Sequence, residues 1–385
     1  MDLRPADADK TQRTRHIPAQ GRRDDQPMPT RLTSRRSLAA GLIATALAPV
    51  AACGETPPAA LARPRPGHRP GLDALRLAQA DQQAEALSQM RAMIVARDGQ
   101  IGLERVYRGP ALDSPVNIKS ASKTVLAAVA GAAVARGVLH LDQPIAPILG
   151  RRVPAGVDSR VRAITVEHLL SMSAGLEPTS GANYGRWVSS DDWVGYALSR
   201  PLVDAPGGRM LYSTGTSHIL SAVLTAAAGR STLDLARAWL GAPMGITIPS
   251  WTRDPKGIYF GGNEMALSPR DLLRFGELYR NGGVQGQTRV LPASWIEESW
   301  RSRGGRSPWT GYTYGLGWWI RQSAGREVYF AWGYGGQMVY VVPSLALTVV
   351  MTSDPAARGA TGHVQALHAL FDQALVPAAE SGRAA

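Results

Sequence analysis

Strand-like segments sit near the two ends of this chain and helical patterns fill the middle, so a single sheet has to draw its strands from both ends of the sequence. Near the start, Met93-Ile94-Val95-Ala96 is apolar, Asp98-Gly99 marks a tight reversal, and strand-like residues resume at Ile101 and run to Tyr107. That is a hairpin pattern. Near the end, Glu327–Trp332, Gln337–Val342 and Leu345–Thr352 read as three strands in close succession, followed by a helix from about Thr361 to Leu375. In between, an Ala- and Val-rich helix is expected from Ser120 to Arg136, stopped at Gly137. A second opens at Ser268-Pro269-Arg270-Asp271, with an N-cap serine, a first-turn proline and an acid three residues on, and closes at Asn281-Gly282-Gly283. No internal repeat is present. The expected fold class is α+β: an antiparallel sheet from both chain ends, flanked by helices, with a mainly helical lobe inserted. At 385 residues, 44% apolar and 19% charged, the chain supports a large core and is not globally disordered.

The formal charge of +12 does not point to nucleic acid. Of the 42 basic residues only four are lysine (Lys10, Lys119, Lys123 and Lys256), and the arginine excess accompanies plentiful alanine and glycine. That is compositional bias rather than a basic stripe, and no run of five like charges exists. One cysteine excludes zinc-finger spacing, an iron–sulfur cluster and a disulfide framework. The seven histidines show no metal-binding spacing such as His-Glu-x-x-His. No cofactor, metal or nucleic-acid partner is expected.

The first 53 residues read as an address. Ser34-Arg35-Arg36-Ser37 precedes an apolar stretch from Leu38 to Ala52, broken by Gly41 and Pro49, which ends in Val50-Ala51-Ala52-Cys53-Gly54. A basic segment, a modest apolar segment and small residues before a cut make a secretory signal. Paired arginines ahead of a weak apolar stretch resemble the twin-arginine type. About 15 apolar residues are short of the roughly 20 needed to span a bilayer. Cys53 stands where a lipid-acceptor cysteine stands in a lipobox. The expectation is an exported protein, periplasmic or in the cell envelope, held to the membrane through a lipid on Cys53, with the start left open between Met1 and Met28. Residues 54–75, rich in proline, read as a tether. The domain is expected over 76–385, with an α/β lobe from 76–112 and 310–385 and a helical lobe over 113–309.

The first chemistry-bearing group is Ser120-Ala121-Ser122-Lys123. Positions i and i+3 of a helix share a face, so Lys123 stands over Ser120. At a helix start, free N–H groups and the dipole favour negative charge developing on Ser120. Arginine does not give up its proton in a protein, whereas lysine does. A lysine kept in an arginine-biased chain is therefore where deprotonation chemistry is expected.

With this group in view, the chain resembles the serine β-lactamase-like hydrolases: class C β-lactamases, D-alanyl-D-alanine carboxypeptidases, esterases and 6-aminohexanoate-dimer hydrolases. The resemblance covers about residues 88–375. Ser120-Ala-Ser-Lys-Thr through Gly137-Val-Leu-His-Leu-Asp-Gln-Pro looks like the family's first motif and its tail. Ile164-Thr-Val-Glu-His-Leu-Leu-Ser-Met-Ser-Ala-Gly-Leu176 is similar to its next signature segment. Tyr212-Ser213-Thr214 falls at the family's Tyr-x-Asn, with the asparagine replaced. Gly333-Tyr334-Gly335-Gly336-Gln337 falls at the Lys-Thr-Gly or His-x-Gly position, but Ala331 and Trp332 precede it and the usual cation is missing. No Gly-x-Ser-x-Gly elbow exists, which argues against an α/β-hydrolase.

The resemblance implies that Ser120 attacks an acyl carbonyl to form an acyl-enzyme, and that Lys123 and Tyr212 handle the proton, with the base left open between them. It also implies an oxyanion hole formed by the backbone N–H groups of Ser120 and Tyr334, which the flanking glycines serve. Thr214, Asn263, Trp332, Gly333, Gly335 and Gly336 are the expected substrate-binding positions. Asn263 is either a replacement for the polar role lost at Thr214 or a simple turn residue. Trp187 and Asp192 are pocket-lining or structural, and His168 and His218 are packed or capping residues. Without a cation at Ala331, the expected substrate is a small ester or amide that needs no carboxylate. Two alternatives stand beside it: a β-lactamase or D-Ala-D-Ala carboxypeptidase, and a penicillin-binding sensor that acylates without turnover.

Overall fold

A computed structural model describes residues 71–356 and 362–382. Met28, Arg35, Arg36 and Cys53, and with them the address reading, lie outside the described residues. The expected tether ends earlier than residue 75. The Asp73 carboxylate accepts hydrogen bonds from the Leu75 and Arg76 backbone N–H groups, capping helix α1 (Ala74–Ala86). This helix buries only Ala80 and Ala84, so it leaves no apolar stripe to read from sequence.

One seven-stranded sheet organises the domain. Its strands are β1 (Met90–Arg97), β2 (Gln100–Val106), β3 (Thr313–Tyr314), β4 (Trp319–Ser323), β5 (Arg326–Gly333), β6 (Gln337–Val342) and β7 (Leu347–Ser353), in the order β2-β1-β7-β6-β5-β4-β3. All neighbours are antiparallel, with Met93 opposite Met351 and Tyr340 opposite Phe330. Strands from both ends therefore meet at β1–β7, as the sequence pattern requires. The reversal at Asp98-Gly99 has φ of +49° and +73°, the two left-handed residues of a tight hairpin.

Alternation along the strands separates two cores. Met93, Val95, Tyr340, Val349 and Met351 pack with the C-terminal helix α5 (His363–Leu370) and its continuation through Leu375. Ile94, Ala96, Val339, Val341 and Val350 face the opposite way, toward α2 (Ser122–Ala135), α3 (Thr214–Ala228) and α4 (Pro269–Arg280). Ser268 caps α4, as its sequence announces, its hydroxyl accepting from Asp271 N at 3.1 Å. Helix α4 falls inside the expected helical lobe, yet it lies against the sheet: a Cβ on Gly276 would stand 2.6 Å from Thr348 Cγ2. Sequence position alone therefore misassigned α4, because a connection can return to the sheet without adding a strand.

Candidate active site

Ser120 lies one turn ahead of α2, in the 3₁₀ turn Lys119–Ala121, rather than in the α-helix itself. Lys119 is held at φ +49°, a conformation that costs a non-glycine residue free energy. Its neighbours over-determine it. Lys119 N donates to Asn117 Oδ1 (2.9 Å), Lys119 Nζ meets Glu264 (3.0 Å), and Asn117 also donates to Glu264. Ser122 Oγ donates to Lys119 O (2.6 Å) and accepts from Met265 N (3.2 Å). The 264–265 segment thus clamps the turn that presents Ser120.

Lys123 is buried at 3% exposure, with Nζ 3.2 Å from Ser120 Oγ, 3.2 Å from Thr214 Oγ1 and 2.8 Å from the Gly262 carbonyl. Burial brings its pKa down to about 7, because removing water penalises the ammonium form. The amine also lies 4.9 Å from the centroid of the Tyr212 ring. Burial pushes the Tyr212 phenol up to about 12, while a hydrogen bond with Ser120 works the other way. Its ring stacks on Trp319 at 5.5 Å. Thr179 and Ser180 are laced to the head of α3: Thr214 N donates to Ser180 Oγ (2.9 Å), Gly215 N to Thr179 Oγ1 (2.8 Å), and Ser213 caps the helix.

Ser120 and Tyr212 line a cleft of about 490 Å³ walled by Trp309, Trp319, Trp332 and Tyr334. Trp309 and Tyr334 form an exposed aromatic rim, 71% and 73% accessible. Gln89, Asp354 and His363 are among its polar groups, and Asp354 is paired with Arg91 at 3.0 Å. Among the described lining residues there is no lysine or arginine. Gly333 ends β5 where a Cβ would stand 2.1 Å from Ile118 O, so the absence of a side chain lets this strand end approach the Ser120 turn. Tyr334 and Gly335 line the cleft directly. Gly336, at φ +97°, is not on the lining; a Cβ there would stand 2.6 Å from Leu367 Cδ1.

Several expected site residues lie elsewhere. Thr214 is 4% exposed and holds Lys123 from behind rather than lining the cleft. Asn263 donates to Tyr184 Oη (3.1 Å) and accepts from Glu264 N, so it serves its own turn. Trp187 is fully buried, donating to Trp193 O (2.9 Å), and Asp192 caps the short helix Trp193–Leu198 through Gly195 N. His168 completes a capping box with Thr165. Sequence reasoning missed Ser180, which supports Thr214 at 3.1 Å, and the Gly262 carbonyl. It also missed His363, whose Nε2 lies 2.9 Å from Ser353 Oγ at the cleft floor. None of these carries a motif: each is brought in by tertiary contact alone.

The family described as Beta-lactamase matches residues 76–370. The chain belongs to the β-lactamase family. Its fold is shared with EstCE1, a hydrolase with promiscuous acyltransferase activity, at TM-score 0.64 and 20% identity, covering 77% of this chain and 98% of that one. A β-lactamase from Mycobacterium bovis matches at TM-score 0.59 and 18% identity over 78% of this chain and 99% of its own. A penicillin-binding protein homologue from Caulobacter crescentus matches at 0.62 and 17%, over 78% and 98%. No curated protein matches the chain.

Proposed function

We propose that this β-lactamase-family protein is a serine hydrolase that cleaves neutral esters with an apolar acyl or alcohol group through an acyl-enzyme on Ser120. The carrying observation is the buried Lys123 amine, 3.2 Å from Ser120 Oγ at the base of an aromatic cleft. An ordinary lysine is about 0.03% neutral at pH 7; one with a pKa near 7 is about half neutral, roughly a thousandfold gain in available base. In the proposed reaction Ser120 Oγ attacks the acyl carbon while its proton passes to Lys123. Tyr212 then relays that proton to the departing alkoxide, and water releases the acid from the acyl-enzyme. The backbone N–H groups of Ser120 and Tyr334 are assigned to the oxyanion. Ala331, 2% exposed and packed into the core, offers a substrate carboxylate nothing, which favours neutral substrates. The sequence of residues 34–54 supports export and lipid attachment at Cys53 as part of the same reading.

The test is a substrate panel on the purified protein: p-nitrophenyl butyrate, nitrocefin and a D-Ala-D-Ala peptide. Steady ester turnover, with fluorophosphonate labelling that disappears in Ser120→Ala, is the expected result. Faster hydrolysis of either carboxylate substrate would overturn the substrate class, and labelling retained by Ser120→Ala would overturn the nucleophile. A burst without turnover would make the protein an acylated sensor instead.

A further inference from the structure

The residue before the Gly262 carbonyl that holds Lys123 is hydrogen-bonded through its N–H to a buried pair with no part in the reaction above. His218 on α3 and Asp254 have side chains with 0% exposure, and His218 Nε2 lies 2.9 Å from Asp254 Oδ2. Across the ring, Nδ1 accepts from Gly261 N at 3.2 Å. These two bonds dictate one tautomer, with the proton on Nε2 and the lone pair on Nδ1. Burial lowers the His218 pKa and keeps the ring neutral. Burial works to raise Asp254, but hydrogen bonds from His218 and from the Ile258 and Lys256 N–H groups outweigh it and leave the carboxyl below its ordinary value.

The segment that carries the carbonyl has no room to move independently. A Cβ on Gly261 would stand 2.3 Å from Ser217 O, and one on Gly262 would stand 2.6 Å from Lys123 Cγ. Ser221 Oγ, one turn along α3 from His218, donates to Tyr259 O at 2.7 Å. Residues 259–262 are thus wedged between α3 and Lys123, which leaves the Gly261 N–H and the Gly262 carbonyl little freedom to shift separately.

We infer that His218 and Asp254 are positioning residues for Lys123, fixing through Gly261 the carbonyl that aims its amine at Ser120. This rests on the acyl-enzyme reading above. The groups facing Lys123 are Ser120 from its own turn, Tyr212 and Thr214 at the head of α3, and the Gly262 carbonyl; the Lys119–Glu264 pair sits one residue from Ser120 and two from Gly262 along the chain.

Asp254→Asn tests the tautomer. Asp254 Oδ1 takes the Lys256 and Ile258 N–H groups at 2.9 and 2.8 Å, so the new amide oxygen stays there and its NH₂ faces Nε2. Nε2 must then accept, the ring proton moves to Nδ1, and Nδ1–H confronts Gly261 N–H. Single-turnover labelling by a fluorophosphonate should slow at least tenfold. The acid limb of its pH profile should shift down by about half a pH unit, as Lys123 loses an oxygen that favours its charged form. Adding His218→Asn to that variant replaces Nδ1 with an amide oxygen that accepts whatever the tautomer. It should restore the rate to within about threefold of wild type even though the melting temperature falls further. If Asp254→Asn does not fold, the single variants decide: His218→Asn keeps the acceptor and most of the rate, while His218→Phe loses the acceptor and at least tenfold of it. A wild-type rate in Asp254→Asn or His218→Phe overturns the inference, as does a double variant no faster than Asp254→Asn. Labelling retained by Ser120→Ala would instead mark failure of the acyl-enzyme reading.

Discussion

Replacing Lys123 with methionine should abolish acylation and yet stabilise the protein at pH 6. Burial moves the lysine from 10.5 to about 7, and at 1.36 kcal/mol per pH unit the native state carries a penalty of about 5 kcal/mol for holding it protonated below pH 7. Methionine has similar bulk and no charge to desolvate. It forfeits the amine's bonds to Ser120, Thr214 and Gly262, and the orphaned polar groups cost about 1–3 kcal/mol. The balance is a gain of about 2–4 kcal/mol for the variant below pH 7. The pH dependence has a definite sign. Between pH 7 and 10.5 the unfolded lysine still binds a proton that the native one has lost, so wild-type stability climbs with pH across this window and the variant's does not. The variant's advantage should therefore be complete below pH 7 and gone by about pH 9. Urea unfolding at both values, followed by tryptophan fluorescence, measures it. A variant less stable than wild type at pH 6, or an equal gap at pH 6 and pH 9, would show that Lys123 is not held as a depressed base, and the proposed proton transfer would lose its footing.

In the proposed reaction the same lysine sets the acylation rate, which should rise with pH through about 7 and then level off; Lys123→Arg, which cannot deprotonate and carries its buried charge at every pH, should be less stable and should lose at least about a thousandfold in single-turnover labelling, measured at a temperature where circular dichroism shows it folded. Tyr212→Phe retains the stacking on Trp319 but not the hydroxyl, so its melting temperature should barely move while the rate drops by about 10²–10⁴, and a loss below tenfold would leave Tyr212 a packing residue. Cys53→Ser should abolish palmitate labelling and detergent partitioning in cells, whereas equal labelling of both proteins would remove the lipid anchor from the proposal.

What was legible in the sequence is what local chemistry encodes. The Asp98-Gly99 reversal, the Ser268 cap and the late strands were readable because turns, caps and alternation are written within a few residues of where they act. Strands Thr313–Tyr314 and Trp319–Ser323 went unread: one is two residues long, and the other mixes Trp and Ile with Arg and Gln on an outer part of the sheet. The Ser120–Lys123 contact was readable because three-residue spacing alone brings the two side chains together. The exact start of the helix was not, since the left-handed Lys119 that shifts it is imposed by Asn117 and Glu264 from outside the turn.

The replacement of asparagine by Thr214 shows where local reading stops. From the motif alone, a threonine at that position is a substrate-binding residue with a shorter reach. In the fold the shorter reach changes its partner. The hydroxyl ends 3.2 Å from Lys123 Nζ and 3.1 Å from Ser180 Oγ, behind the amine and out of the cleft. A hydroxyl both donates and accepts, so it satisfies the lysine in either protonation state, with Ser180 taking the complementary role. The hydroxyl supports the Lys123 amine instead, and the cleft is lined by Tyr212, Trp319 and Trp332. Loss of the cation at Ala331 and withdrawal of the polar group at Thr214 act in the same direction. Both support the proposed preference for a neutral ester, because neither position offers a substrate carboxylate a cation or an exposed polar group, while the contacts around Ser120 remain.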